Sequence, residues 1–233
     1  MKKKVLLFDI DGTLIRAGGA GRKALIRAGE VLYGRKNVCS ELSLAGHTDL
    51  WNFSEAFRAG AGRKGTPEEI ERLHQEYLKQ LPFYVKKALR EKSYILPRGI
   101  APLLKRLSRE KGLLLGLGTG NMERGARIKL EPSGFNGYFA FGGFGSDSFH
   151  RAILLKKAAA RARKHMNGYR GPVDVFVIGD TPLDVAAGKK AGFKTVAVGT
   201  GFAEWKDLVG SKPDYLARDF RGISKWLKWF GIK

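Results

Sequence analysis

Four short apolar runs, each ending in a glycine-containing polar turn, constrain this 233-residue chain more than any other feature. Val5-Leu6-Leu7-Phe8 runs into Asp9-Ile10-Asp11-Gly12-Thr13, and residues 113–118 run into Thr119-Gly120-Asn121. Residues 173–178 end in Gly179-Asp180-Thr181, and 195–198 end in Gly199-Thr200-Gly201. Runs this short, without polar alternation, suit strands buried on both faces. Helix-like stretches at 99–111, 152–164 and 184–191 lie between or beside them. Such strand–helix alternation predicts an α/β fold with a Rossmann-like, mostly parallel sheet.

Residues 16–90 break that rhythm. Thr66-Pro67-Glu68-Glu69 has the form of a helix start, with Thr as N-cap, Pro in the first turn and Glu three residues after the cap. Ile70, Leu73, Tyr77 and Leu81 then recur at helical spacing. An earlier helical stretch covers 21–32. The expected organisation is a core formed by 1–15 and 91–233, with a helical insertion at 16–90 and the sheet resuming near Lys92. Trp226, Leu227, Trp229 and Phe230 predict a C-terminal helix packed on the core.

Composition narrows the function classes. Hydrophobic residues make up 43% and charged residues 28%, ordinary values for a globular protein. The apolar run near the N-terminus stops at Phe8, too short for a signal peptide or a membrane helix. The single cysteine, Cys39, fits a reducing, cytoplasmic setting. The 43 Lys+Arg against 22 Asp+Glu give a net charge of +21, which invites a nucleic-acid reading. Against it, the basic stretch 151–170 offers only Tyr169 for base stacking and reads as a solvated helix face.

In open parallel sheets, ligands bind beyond the carboxyl ends of the strands. Here those ends carry Asp9 and Asp11, then Thr119, then Asp180 with Asp184 nearby. Carboxylates gathered from distant stretches repel unless a cation with oxygen ligands holds them, and Mg2+ suits that role.

On these residues the chain resembles the haloacid dehalogenase-like (HAD) superfamily of phosphotransferases, in its phosphoglycolate-phosphatase-like branch, over almost the whole length. Asp9-Ile10-Asp11-Gly12-Thr13 is similar to the first motif of that superfamily, Thr119 to the second and Gly179-Asp180-Thr181-Pro182-Leu183-Asp184 to the fourth. The resemblance implies that Asp9 is a nucleophile forming an aspartyl-phosphate and that Asp11 is the acid and base. It implies Mg2+ held by Asp9, the Asp11 carbonyl and Asp180, with Asp184 supporting these ligands more than binding directly. Thr119, Gly120 and Asn121 would bind phosphoryl oxygens at a helix start. Dehalogenases of the superfamily lack the second acid and the metal, so Asp11 and Asp180 favour phosphoryl chemistry.

The third motif departs from the family pattern, because no Lys-Pro-x-Pro occurs between Phe139 and Val173. Arg151, at a helix entrance, is favoured for its basic role over Lys156. The insertion resembles the branch's helical cap. Within it, Thr48 and Asp49 of Gly46-His47-Thr48-Asp49 either meet substrate or simply cap a helix. Gly18 to Lys23 reads as a hinge whose Arg22 or Lys23 could meet substrate charge. The implied activity is a phosphatase for small phosphorylated metabolites. A phosphomutase of the same superfamily and a nucleic-acid binder on the same scaffold are the rivals.

Overall fold

The computed structural model describes residues 2–35, 38–39 and 42–232. Strand β1 (Lys3–Phe8) is followed by a short strand β2 (Arg16–Ala17) and three helices, α1 (Ala20–Tyr33), α2 (Asp49–Ala61) and α3 (Pro67–Arg90). After β3 (Tyr94–Ile95) come α4 (Ile100–Leu107), β4 (Leu113–Gly118), α5 (Glu123–Leu130), β5 (Gly142–Gly143) and α6 (Arg151–Lys164). The chain continues through β6 (Val173–Gly179), α7 (Pro182–Ala191), β7 (Lys194–Val198), α8 (Trp205–Gly210), β8 (Tyr215–Ala217) and α9 (Ile223–Trp229).

Six of these strands form one sheet in the order β5-β4-β1-β6-β7-β8. Every pairing within it is parallel, as the buried apolar runs predict. Val5, Leu6, Leu7 and Phe8 are fully buried in the middle of it. Because successive side chains of a strand point to opposite faces, these four divide between two cores. Val5 and Leu7 pack with Leu155 and Ala158 of α6, whereas Leu6 and Phe8 pack with Leu104 of α4 and Trp226 of α9. The fully buried Trp226 makes α9 part of the second core, as the aromatic pattern predicts.

The chain leaves the helical insertion differently from expectation. The sheet does not resume near Lys92. Residues 94–95 pair antiparallel with 16–17, Arg16 opposite Ile95 and Ala17 opposite Tyr94, in a separate two-stranded ribbon. Pro97, which has no N–H to give a ladder, follows two residues after Ile95. The ribbon therefore ties together the two ends of the inserted helices, and the main sheet resumes at Leu113. Helix α3 starts as predicted, with the Thr66 hydroxyl accepting from Glu69 N and the Glu69 carboxylate accepting from Thr66 N. Ile70, Leu73, Tyr77 and Leu81 are all buried along it. No helix among the described residues is long and apolar enough to cross a membrane.

Strand order places the functional end of the sheet. The chain moves outward from β1 through β4 to β5, then returns to the other side of β1 as β6. That reversal opens a crevice at the carboxyl ends of β1, β4 and β6. Phe8 is in register with both Leu117 and Ile178, so Asp9, Thr119 and Asp180 emerge within about one residue of the same level.

Candidate active site

Asp9, Asp180 and Asp184 converge beyond these strand ends, with one oxygen from each lying within 4.8 Å of the others. All three are buried. Asp180 is seated by a hydrogen bond from the Thr13 hydroxyl (2.9 Å) and another from Phe202 N (3.1 Å). Its seat leaves no room for side chains on its neighbours: a Cβ on Gly12 would come within 2.4 Å of its Oδ2, and one on Gly201 within 1.7 Å. Gly12 also has φ of 88°, a left-handed turn that L side chains rarely adopt. Two glycines of the strand-end turns are thus fixed by one carboxylate.

Burial and mutual repulsion govern the charge of this cluster. Burial, then the Asp184 charge, pushes the Asp9 carboxyl up to about 7, against the opposing pull of Arg151. Burial and the charges of Asp184 and Asp9 likewise raise Asp180 well above the usual carboxylate range. Such a donor set takes its ionised form when a divalent cation with oxygen ligands is present. Asp184 is already engaged: Oδ2 accepts from Thr181 N (3.0 Å) and the Thr181 hydroxyl (2.7 Å), closing the N-terminus of α7, and Oδ1 accepts from Arg151 Nη2. Asp180 accepts only from the neutral Thr13 hydroxyl and Phe202 N, whereas Asp184 also carries the Arg151 guanidinium, so Asp9 and Asp180 are the freer ligands.

Arg151, the first residue of α6, is largely buried, with Nη2 against Asp184 and 3.7 Å from Asp9 Oδ1. Nη1 donates to Gly46 O at 3.3 Å, reaching the inserted segment. Lys156, one turn further along α6, is exposed. Thr119 is fully buried, and its hydroxyl helps keep Asp9 ionised. Gly120 lies against the insertion so closely that a Cβ would meet His47 O at 2.3 Å.

Asp11 turns away from the acid cluster. Its Oδ2 accepts from Lys129 Nζ at 2.6 Å and from Asn121 Nδ2 at 2.9 Å, and Lys129 donates again to Asn121 Oδ1 at 2.6 Å. Sequence reasoning missed Lys129 altogether. Residues Gly125, Ala126, Lys129 and Leu130 form the buried stripe of α5, and a lysine on such a stripe is rarely there without a partner. Recognising α5 as a helix would have exposed that signal.

The segment 46–49 docks onto the core. Thr48 accepts from Trp51 N at 3.4 Å, as the N-cap of α2. Asp49 donates its backbone N–H to Gly120 O (2.7 Å), and its carboxylate accepts from Met122 N (2.9 Å) at the start of α5. Of the two readings left open for Thr48, the structure contains the helix cap. Between core and insertion lies a cavity of about 280 Å³ bordered by Asp9, Asp11, Gly120, Asn121, Lys129 and Arg151. Asp49 also borders it, but Thr48 does not. Arg22 reaches the wall, with its guanidinium donating to Cys39 O (2.5 Å) and Leu42 O (2.6 Å). Lys23 is exposed and outside it.

The model of the haloacid dehalogenase-like hydrolase family matches residues 3–192. A phosphoglycolate phosphatase of Synechococcus elongatus is 30% identical over 118 residues, 51% of this chain and 52% of that protein, so the match spans about half of each. Among solved structures, a hydrolase from Pseudomonas syringae superposes with a TM-score of 0.67 at 18% identity, covering 98% of this chain and 99% of that one. A predicted phosphoglycolate phosphatase from Haemophilus somnus gives 0.67 at 19%, covering 97% of each. Likeness at such identities establishes the α/β fold.

Proposed function

This chain belongs to the haloacid dehalogenase-like hydrolase family, and from that membership we propose that it is a Mg2+-dependent phosphatase of small phosphomonoesters. The supporting observation is one cavity bordered by Asp9, Asp11 and Arg151, with the buried Asp180 and Asp184 clustered against Asp9. In this reading residues 1–15 and 91–233 form the catalytic core and 16–90 the cap above it.

An Asp9 carboxylate oxygen attacks phosphorus, and the ester P–O bond breaks as the leaving oxygen takes a proton from Asp11. Water then attacks the aspartyl-phosphate, giving its proton back to Asp11, and Asp9 and inorganic phosphate are released. Arg151, beside Asp9 and Asp184, holds a phosphoryl oxygen while keeping the nucleophile oriented. Thr119, Gly120 and Asn121 provide further donors near the start of α5. Asp9, the Asp11 carbonyl and Asp180 would hold the metal, with Asp184 fixing Arg151. When bound, Mg2+ offsets the negative charge that keeps a carboxylate from a phosphate dianion.

The test is inorganic phosphate release from p-nitrophenyl phosphate, expected with Mg2+ and lost in EDTA. Undiminished release in EDTA, or no release with Mg2+, would reject the proposal, and a phosphomutase would release little free phosphate. Binding has its own readout. Asp9 and Asp180 carry raised pKa values in the folded state, so they retain protons there that the unfolded chain loses. The stability these protons confer is present below about pH 4 and falls as pH rises through about 7 for Asp9. Mg2+ competes with those protons. It should raise the melting temperature more at about pH 8 than at about pH 5. Equal increments at both would place the ion elsewhere.

A further inference from the structure

Two buried polar groups at the cap end of the cavity have no partner. Asn52 Oδ1 on α2 and Tyr77 Oη on α3 make no hydrogen bond among the described residues. Yet Asn52 is only 7% and Tyr77 only 2% exposed, and both border the cavity. A buried polar atom left unpaired is destabilising, so two on one cavity wall call for a ligand that supplies the missing bonds. Gly21, which also borders the cavity, lies beside Tyr77. A Cβ there would meet Lys129 Nζ at 3.1 Å and Tyr77 Oη at 3.6 Å.

We infer that this end of the cavity is a subsite for the alcohol part of the substrate, and that the alcohol is small, uncharged and hydroxyl-bearing. The inference rests on the phosphatase reading and names the substrate class of the same site. Asn52 Oδ1 is an acceptor and requires a donor, which a hydroxyl provides and a carboxylate does not. Tyr77, kept as the neutral phenol by burial, can donate to that hydroxyl or accept from it.

The charges around these groups do not favour a second anion. Asp11 and Asp49 border the cavity together with Lys129, Arg22 and Arg151. Lys129 is already paired with Asp11, and the Arg22 guanidinium donates to the carbonyls of Cys39 and Leu42. Size sets the other limit. The cavity of about 280 Å³ must hold the phosphoryl group as well, and falls below the range of about 300–1,000 Å³ usual for drug-sized ligands. Leu25, Leu44 and Phe53 close it with apolar surface. The limit favours a small alcohol over a large one.

The experiment compares sn-glycerol 3-phosphate, phosphoglycolate and p-nitrophenyl phosphate as substrates of the full chain and of Tyr77→Phe and Asn52→Leu. The wild type should hydrolyse glycerol 3-phosphate with a kcat/KM about tenfold or more above that for phosphoglycolate. Each variant should lower the ratio of kcat/KM for glycerol 3-phosphate to that for p-nitrophenyl phosphate by about tenfold. Tyr77→Phe removes a hydroxyl that has no internal partner, so its melting temperature should hold or rise. A merely structural tyrosine would lose stability instead. A wild-type preference for phosphoglycolate, an equal fall for all substrates in both variants, or a lower melting temperature in Tyr77→Phe would overturn the inference. Failure to hydrolyse p-nitrophenyl phosphate rejects the phosphatase itself. Hydrolysis of that ester without preference for the polyol leaves the phosphatase standing and rejects the subsite alone.

Discussion

Asp9→Asn is expected to lower kcat by about 10⁴-fold or more, the scale on which losing a covalent nucleophile costs an enzyme, while leaving the fold at least as stable. The first half follows from chemistry: an amide oxygen of the same shape is too weak a nucleophile to form the phosphoenzyme. The second half follows from the surroundings. Asp9 is buried beside Asp180 and Asp184, and burial and like charge raise its carboxyl to about 7. An uncharged side chain of the same shape relieves that repulsion, so above about pH 7 the metal-free variant should melt at or above the wild-type temperature. Radioactive phosphate from substrate should label the wild type and not the variant. Mg2+-dependent turnover persisting in Asp9→Asn near the wild-type rate would remove Asp9 from the nucleophile's role.

How much of this was readable beforehand depends on which interactions fix each residue. The strand ends were legible because local pattern fixes them: an apolar run buried on both faces gives way to a polar, glycine-containing turn, and Asp9 and Asp180 stand in those turns. Arg151 was legible as the residue opening a helix. The choice between it and Lys156 turned on helix geometry, and the structure gives Arg151 the acid contacts and leaves Lys156 exposed. The parallel sheet was legible for the same local reason, whereas the β2–β3 ribbon was not. Two-residue strands carry no periodicity, and their pairing joins positions nearly eighty residues apart.

The part of the wall formed by Asn52 and Tyr77 lay beyond sequence reasoning for a tertiary reason. Asn52 and Tyr77 sit on helices whose apolar faces predict burial, but only the docking of α2 and α3 on the core decides which polar atoms meet a void. Asp49 has its place because Met122 N and Gly120 O lie across from it, partners more than seventy residues away. The net charge of +21 hid the rest. Among 43 Lys and Arg, the described residues that border the cavity include Arg22, Lys129 and Arg151. A sum over the chain cannot single out a buried lysine.

That lysine supports the second large prediction, in which Lys129→Met separates leaving groups by their need for a proton. Lys129 Nζ and Asn121 Nδ2 both bond Asp11 Oδ2, which fixes the side chain, and in the proposed mechanism Oδ1 is the atom that exchanges a proton with substrate. Lys129 touches no reacting atom in this arrangement, so it is a positioning residue. Methionine fills a similar volume without donating, and Asp11 loses one of its two restraints. For phenyl phosphate, whose leaving oxygen needs a proton as the P–O bond breaks, kcat/KM should fall about 10²-fold or more. For 2,4-dinitrophenyl phosphate, whose phenolate departs without one, it should fall less than about tenfold. The comparison uses kcat/KM because that constant ends at departure of the leaving group, before Asp11 acts again as base on the aspartyl-phosphate. Lys129→Gln, which restores a donor, should recover part of the phenyl phosphate rate. Loss of folded protein would lower both substrates by the same factor. An equal fall for the two esters would therefore show that Lys129 maintains the fold and does not position the acid.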